Sequence, residues 1–232
     1  MPPKKTPAKS TAKKPAKLYK KRMPKEDIYK FFKRLHAIDP EPKSDLEWTN
    51  AYTLLVAVTL SAQATDEGVN RATKHLFPIA DTPQKMLDLG LEGLKEHIKT
   101  IGLYNNKAKN VIAMAQILVD DYGGEIPQTR DELVSLPGVG RKTANVVLNI
   151  VFEQPTMAVD THIFRVSNRT GMAPGANPDR VEDALLKVVP DDFILHAHHW
   201  LILHGRYTCV ARKPKCSECS VYELCHFKEK TA

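Results

Sequence analysis

Hydrophobic positions recur along this chain at the spacing of an α-helix. Ile28, Phe31, Phe32 and Leu35 form one apolar stripe, which prolines end at positions 40 and 42. Similar stripes lie in the segments 82–89, 111–122 and 177–188. Glycines and prolines separate the stripes, and no segment alternates apolar and polar residues in the manner of a β-strand. The pattern therefore predicts an all-α fold.

One further segment is apolar on every side. It spans residues 51–62 and reads AYTLLVAVTLSA. A membrane-spanning helix needs about 20 apolar residues, so this segment is too short to cross a bilayer. We expect it to form a helix that is buried inside the protein.

The middle of the chain contains two helical segments joined by a hairpin. Residues 129–151 read TRDELVSLPGVGRKTANVVLNIV, in which Thr129 and Glu132 form a capping box at the start of the first helix. We expect the second helix to begin near Arg141. The hairpin between them consists of Pro137, Gly138, Val139 and Gly140. Backbone N–H groups at such a helix start favour a phosphate group, although an ordinary tight turn has the same spacing.

Lys142 adds a second signal because it lies in the first turn of the second helix. A helix N-terminus disfavours an added positive charge, and partial burial does the same. Both would favour the neutral amine, which can act as a nucleophile. A solvated surface lysine is the alternative interpretation.

An aspartate follows eighteen residues later, after the apolar residues Ala158 and Val159. Asp160 is placed to cap a short helix whose apolar positions are Ile163 and Val166. Capping and catalysis are compatible roles for one carboxylate, and we expect Asp160 to have both.

The four cysteines of the chain all lie close together near its C-terminus. They are Cys209, Cys216, Cys219 and Cys225, with six, two and five residues between them. Two disulfides would be typical of a small secreted protein, which nothing else in this sequence indicates. A shared metal centre is therefore expected, and both zinc and an iron–sulfur cluster fit four thiolates in a short loop.

The formal net charge of +7 suggests a polyanionic partner, but the positive charge is concentrated at the N-terminus. Residues 1–25 hold ten of the 34 Lys and Arg residues and no acid. We expect residues 1–24 to be a disordered tail that holds DNA nonspecifically, with a merely solubilising tail as the alternative. The tail lacks the apolar core of a signal peptide, so a bacterial cytoplasm is the expected location, with a nucleus as the alternative that a Lys-rich arm allows.

The segments LPGVGRKTANVVLN and VDTHIFRVSNRTG, followed by the four cysteines, closely resemble the endonuclease III family of base-excision DNA glycosylases. The resemblance covers roughly residues 25–230. It implies a four-iron four-sulfur (4Fe-4S) cluster on the cysteines rather than zinc. It also implies two helical domains with a DNA-binding cleft between them. Residues 45–154 would form a helical barrel domain with the helix-hairpin-helix motif, and residues 25–44 plus 155–232 would form the iron–sulfur domain.

The resemblance also implies roles for single residues. Lys142 would attack the sugar C1′ and form a Schiff base, while Asp160 would help to deprotonate the lysine. Gln63 would enter the space left by an extruded nucleotide, and Leu103 would be an apolar wedge in the duplex. Without the family, Gln63 would be a surface residue and Leu103 a core residue. The residues expected to face DNA phosphates are Pro137, Gly138, Val139 and Gly140 of the hairpin, and Arg212, Lys213 and Lys215 of the cysteine loop.

The activity that the resemblance implies is a bifunctional DNA glycosylase and abasic-site lyase. Its substrate would be an oxidised pyrimidine in damaged double-stranded DNA, and the protein would act as a monomer without contact to a membrane. Two alternatives stay open. One is a noncatalytic DNA-binding protein with a redox-sensing iron–sulfur cluster, and the other is a mismatch-specific glycosylase of the same superfamily.

Overall fold

Ten α-helices make up most of the part of the protein that the structure describes, as the hydrophobic pattern predicts. The computed structural model describes residues 18–231. In chain order the helices are α1 (Lys25–Ile38), α2 (Ala51–Leu60), α3 (Asp66–Thr73), α4 (Pro83–Ile98), α5 (Tyr104–Tyr122), α6 (Arg130–Ser135), α7 (Arg141–Phe152), α8 (Thr161–Thr170), α9 (Pro178–Val188) and α10 (Ile194–Leu203). Apart from one isolated bridge between Tyr19 and Phe227, these residues form no β-structure. The all-α prediction is confirmed.

The buried apolar side chains form two large clusters. The first is built from α2 to α7 and includes Leu55, Met114 and Val147. The second is built from α1, from α8 to α10 and from the C-terminal loops, and it includes Phe32 and Trp200. The chain therefore begins in the second cluster, builds the first, and then returns. This division supports the two-domain layout, whose boundaries at residues 45 and 154 stay predictions.

The apolar segment at residues 51–62 forms the buried helix α2, as predicted. Nine of its ten residues are buried. Asn50 caps its N-terminus by accepting a hydrogen bond from the backbone N–H of Thr53, whose hydroxyl in turn accepts one from the Asn50 N–H. No helix in residues 18–231 combines the length and the hydropathy that a membrane crossing requires.

Helix α4 differs from the sequence-based expectation. The spacing of Met86, Leu87 and Leu89 predicts a helix that ends at Gly90. Gly90 does leave the helical conformation, with φ 72° and ψ 172°, but helical structure resumes after it and continues to Ile98. Leu94 and Ile98 are buried in the first cluster, and this burial explains the second helical segment.

The predicted disordered tail needs a correction at its C-terminal end. Residues 1–17 lie outside the described residues. The segment 18–23 packs against the rest of the protein, because the Lys20 N–H donates to the His226 carbonyl and the Met23 N–H to the Gly171 carbonyl. The Met23 side chain is buried in the second cluster. The prediction of disorder through residue 24 is therefore wrong for this segment.

Candidate active site and cysteine loop

The predicted helix-hairpin-helix is present, with α6 and α7 on either side of a short turn. Gly138 has φ +81° in this turn, a conformation that favours glycine. A Cβ atom there would lie 3.0 Å from side-chain atoms of Asn110 in α5 and 3.2 Å from the Thr59 methyl group in α2. The hairpin therefore packs closely against two helices of the first cluster.

Helix α7 begins at Arg141, where the sequence predicts it. Gly140 is its N-cap residue and offers no side chain to cap the first turn. The N–H groups of that turn are consequently available to a ligand, and the helix dipole favours a negative one. The buried side chain of Val139 fixes the hairpin in front of this helix end.

Lys142 lies at the second position of α7, and its side chain is exposed. The expectation of partial burial is therefore wrong for the free protein, because this face of the first turn points away from the first cluster. What remains of the sequence signal is the position of Lys142 in the first turn of α7, directly after the hairpin.

Asp160 caps α8, as predicted. Its carboxylate accepts a hydrogen bond of 2.8 Å from the backbone N–H of Ile163, and the residue is half-buried. The carboxylate therefore has a fixed orientation at the start of α8. An oxygen atom that is not engaged in capping can interact with a second group.

The chain between α7 and α8 brings Asp160 back towards the start of α7. After α7 it reverses at Glu153, which has φ 50°, and then runs along α7 in the opposite direction. The Asn145 side chain donates to the Met157 carbonyl at 3.1 Å, and the Thr156 hydroxyl donates to the Asn145 carbonyl at 2.6 Å. Three residues beyond Met157, Asp160 reaches the end of α7 that carries Lys142.

The structure does not join Lys142 and Asp160 directly. Among residues 18–231 their side chains form no ion pair with each other. His198 of α10 is buried near Lys142. Burial, followed by the charges of His199 and Lys142, holds the pKa of His198 well below its usual range. Lys142 and Asp160 therefore lie near the same end of α7, at the junction of the two clusters.

Gln63 and Leu103 lie in two exposed turns at the edge of the first cluster. Both have left-handed backbone conformations, with φ 57° at Gln63 and φ 60° at Leu103, which is uncommon for residues other than glycine. The Leu103 side chain is 60% exposed. An apolar side chain so exposed at the tip of a strained turn is not a core residue.

An ion-pair network connects the two clusters beside the Gln63 turn. Arg206 bonds to the carboxylates of Asp45 and Asp66, the latter at 2.8 Å. Arg206 lies in a π-helical turn, His204–Thr208, just before the first cysteine. The Tyr207 hydroxyl also contacts Asp45. Asp66 is thus held by Arg206 in the first turn of α3, three residues after Gln63.

The four cysteines line one small cavity of about 20 Å³, together with His204 and Phe227. None of them forms a disulfide. A single zinc ion needs ligands that converge within about 2.3 Å of one point. In the described part of the chain, no three His, Cys, Asp or Glu side chains converge in this way. Four thiols around one cavity are the set of ligands that an iron–sulfur cluster uses.

Burial disfavours charge on the thiols of this loop. It raises the pKa of the Cys219 thiol to about 11, and it raises the pKa of the Cys225 thiol as well. Cluster ligands are thiolates, so a bound cluster has to replace the protons of these groups. The environment therefore suits cysteines whose charge is neutralised by metal.

Two arginines of α8 donate hydrogen bonds to the backbone of the cysteine loop. Arg165 donates to the carbonyl of Cys209 at 2.9 Å, and Arg169 donates to the carbonyls of Val210 and Ala211 at 2.7 and 2.8 Å. The same helix is capped by Asp160 at its other end. One rigid element thus connects the position of the carboxylate with that of the loop.

The basic residues predicted between the first two cysteines are at the surface. Arg212, Lys213 and Lys215 are exposed, and among residues 18–231 none of them forms an ion pair. Lys213 has φ 52°, and the Lys215 N–H closes the loop by donating to the Thr208 carbonyl at 3.0 Å. The loop therefore presents unneutralised positive charge to solvent.

Comparison with known proteins identifies this arrangement. Residues 56–191 match the HhH-GPD superfamily of base excision DNA repair proteins, and residues 209–225 match the iron-sulfur binding domain of endonuclease III. Endonuclease III of Escherichia coli is 59% identical over 197 residues, which are 85% of this chain and 93% of the relative. The chain belongs to the endonuclease III family. The enzyme of Haemophilus influenzae, also named endonuclease III, is 58% identical over the same shares of the two chains.

A solved endonuclease III structure has the same fold. It is a trapped covalent intermediate with DNA, in an estranged-adenine complex. The match has a TM-score of 0.81 at 43% identity and covers 88% of this chain and 96% of that one. Together with the iron-sulfur domain match and the endonuclease III relatives, this likeness identifies the cofactor as a 4Fe-4S cluster. The iron-sulfur domain match spans all four cysteines, from Cys209 to Cys225.

Several residues that form long-range contacts in this fold were not predicted from the sequence. Arg165, Arg169 and Arg206 gave no signal, because their carbonyl and carboxylate partners are distant in sequence. Lys107 did give one. It lies four residues before Val111, on the apolar face of α5, where a lysine is unusual.

Proposed function

We propose that this protein is a bifunctional DNA glycosylase and abasic-site lyase that excises oxidised pyrimidines from damaged duplex DNA. The observation that carries the proposal is the placement of Lys142 in the first turn after the hairpin, at the same junction as the capped Asp160. The covalent DNA intermediate formed by an endonuclease III relative supports a nucleophilic mechanism. We further propose that the protein acts as a monomer in a bacterial cytoplasm, on DNA of the nucleoid.

Binding begins with extrusion of the damaged nucleotide. A base that is non-planar or poorly stacked costs less to extrude, which provides part of the selectivity. Leu103 inserts its exposed side chain between base pairs, and the Gln63 amide occupies the space that the nucleotide leaves. The estranged adenine of the related complex supports this assignment, because a base that has lost its partner is what extrusion produces.

The hairpin holds the DNA backbone beside the site. The N–H groups at the start of α7 donate to a phosphate, while Gly138 and Gly140 let the backbone approach it closely. Pro137 has no N–H and contributes shape, and buried Val139 keeps the turn rigid. Arg212, Lys213 and Lys215 of the cysteine loop bind further phosphates. Both halves of the protein therefore contact the same duplex.

Lys142 and Asp160 carry out the chemistry. Asp160 accepts a proton from the Lys142 ammonium, and the neutral amine attacks the sugar C1′. A bond forms between nitrogen and C1′ while the bond from C1′ to the base breaks, and the base leaves with a proton. The adduct opens to a Schiff base. Loss of a C2′ proton then breaks the bond between C3′ and its phosphate oxygen, and water releases Lys142.

The cysteine loop contributes positioning to this reaction. When bound, the 4Fe-4S cluster supplies iron–thiolate bonds that fix the ends of the basic segment between Cys209 and Cys216. Arg165 and Arg169 hold the backbone of that segment in register with α8. Asp160 is the N-cap of α8. The same helix therefore fixes the position of this carboxylate relative to the phosphate-binding side chains of the cysteine loop.

A panel of duplexes tests the proposed function. One duplex carries a thymine glycol, one an abasic site, one a G·T mismatch and one no lesion. We expect strand cleavage of the first two and no cleavage of the others. Cleavage of the mismatch alone would select a mismatch glycosylase, and binding of all four without cleavage would select a noncatalytic DNA-binding protein.

A further inference from the structure

A buried lysine connects the two turns that carry Gln63 and Leu103. Lys107 of α5 is only 6% exposed. Its ammonium group donates a hydrogen bond of 2.9 Å to the carbonyl oxygen of Leu60, the last residue of α2. Leu60 lies three residues before Gln63. The lysine therefore caps the C-terminal end of α2, where the helix dipole favours a cation.

The same residue is bonded to the Leu103 turn through its backbone. The Lys107 N–H donates to the Leu103 carbonyl at 3.1 Å. One residue thus forms a hydrogen bond to each of the two turns, at carbonyl groups that are 43 positions apart in the chain. Both turns hold a non-glycine residue at positive φ, so both depend on their surroundings to keep that conformation.

One face of α5 extends this connection to the hairpin. Leu103, Lys107 and Asn110 are spaced four and three residues apart, so they lie on one side of the helix. The Asn110 side chain packs against Gly138 of the hairpin. A single rigid helix therefore sets the relative positions of three of the four loops that the proposed function assigns to DNA.

The cost of this arrangement argues that it serves a purpose beyond packing. Burial lowers the pKa of Lys107, and no charged neighbour offsets this shift. A buried charge with a single carbonyl partner contributes less to stability than an apolar side chain of the same size would. What the lysine provides is a directed bond between two loops that an apolar side chain cannot make.

We propose that Lys107 is a positioning residue that holds the Gln63 and Leu103 turns at a fixed separation, so that both insert into the duplex together. This inference rests on the proposed function, since it assigns both turns to DNA. Fixing the two turns before binding removes the entropy loss of ordering them on the DNA. The benefit appears in the distorted complex, and the free protein gains no stability from it.

The test compares Lys107→Met with Lys109→Met. Met keeps most of the length of the lysine stem, and Lys109 is an exposed lysine two residues away, so both variants lose one positive charge. Each protein binds, at saturation, a duplex with a tetrahydrofuran abasic analogue opposite 2-aminopurine, which fluoresces more strongly when unstacked. We expect the fluorescence rise of wild type and Lys109→Met to be equal and that of Lys107→Met to be several-fold smaller.

Two further measurements separate positioning from structure. The single-turnover rate of thymine glycol release should fall roughly tenfold in Lys107→Met, while its thermal midpoint stays equal to wild type or rises. Lys107→Arg keeps a donor for the Leu60 carbonyl and should retain the wild-type fluorescence rise. A Lys107→Met variant with wild-type fluorescence and rate overturns the inference, and so does a loss of thermal stability that accounts for the weaker signal.

A separate experiment on the wild-type protein tests the proposed function itself. Wild-type protein is incubated with the thymine glycol duplex and sodium borohydride, which reduces a Schiff base to a stable adduct. Absence of that adduct in the wild type contradicts the proposed function. An adduct in the wild type, combined with full base estrangement in Lys107→Met, contradicts only the role of Lys107.

Discussion

The side-chain amide of Asn145 donates to the backbone carbonyl of Met157 at 3.1 Å, inside the protein and away from solvent. This hydrogen bond joins α7, one turn after Lys142, to the extended segment that ends at Asp160. Together with the hydrogen bond from the Thr156 hydroxyl to the Asn145 carbonyl, it holds the segment before Asp160 against α7. A change in the length of this hydrogen bond would change the distance between the Lys142 and Asp160 side chains.

Asn145→Leu should therefore affect both stability and rate. It leaves the Met157 carbonyl without its donor, and we expect the free energy of unfolding to fall by roughly 1–3 kcal/mol. We also expect a slower single-turnover release of thymine glycol, because Asp160 is no longer fixed relative to Lys142. Asn149→Leu is the control, since Asn149 is a buried amide one turn further on that bonds to the Gln154 and Leu195 carbonyls. Equal rates for both variants, at similar stability, would remove the positioning role of Asn145.

Gly138→Ala tests the packing of the hairpin. The substitution adds a side chain at φ +81° and brings it against Asn110, so we expect a loss of roughly 2–3 kcal/mol in unfolding free energy. Gly124→Ala also has a positive φ but meets open space, and it should cost only about 1–2 kcal/mol. Chemical denaturation measures both values. If Gly124→Ala proves as costly as Gly138→Ala, contact with α5 does not define the hairpin.

The sequence predicts the helices of this fold well and its long-range contacts poorly. Helix α2 and the pair α6 and α7 follow from apolar runs, caps and a proline, which are all local signals. The continuation of α4 beyond Gly90 depends on burial against distant residues, which no local pattern contains. The same limit explains the error about Lys142, because whether a side chain at a helix start is covered depends on neighbours that the sequence does not specify.

In the candidate site, too, the residues with local signals were predictable and those with distant partners were not. Asp160 was predictable as a cap, and the segment with the four cysteines was predictable as a metal-binding segment, because each signal is local in sequence. The ion pairs of Arg206 with Asp45 and Asp66 join residues about 140 to 160 positions apart, so they appear only in the folded chain. Lys107 is the exception, since a lysine on an apolar helix face was visible in the sequence.

The half-buried His199 of α10 should make the protein sensitive to acid. Burial, together with the charge of His196, lowers the pKa of His199 from 6.5 to about 4. The unfolded chain therefore binds a proton that the native state rejects, and stability falls as the pH drops from about 6.5 towards 4. The loss at His199 amounts to roughly 3 kcal/mol at the acid end of this window.

His199→Leu measures that contribution. Urea unfolding at pH 7 and at pH 4.5 should show a smaller difference in the variant than in the wild type. His75→Leu is the control, because His75 is exposed. If both variants keep the full pH dependence of the wild type, the acid sensitivity originates elsewhere.

The cofactor can be identified on the purified protein. We expect a brown protein with a broad visible absorption band, and about four iron atoms per chain by metal analysis. Cys216→Ser should lower the iron content and weaken DNA binding, because the ends of the basic loop are no longer fixed. A colourless protein with one zinc per chain would contradict the assignment of a 4Fe-4S cluster.

Borohydride trapping tests the central claim, which is covalent catalysis by Lys142. Wild-type protein and Lys142→Gln are incubated with a duplex that carries one thymine glycol, in the presence of sodium borohydride. We predict a protein–DNA adduct for the wild type and none for Lys142→Gln, although the variant still binds the tetrahydrofuran duplex. A trapped adduct of wild-type yield in Lys142→Gln would contradict the account.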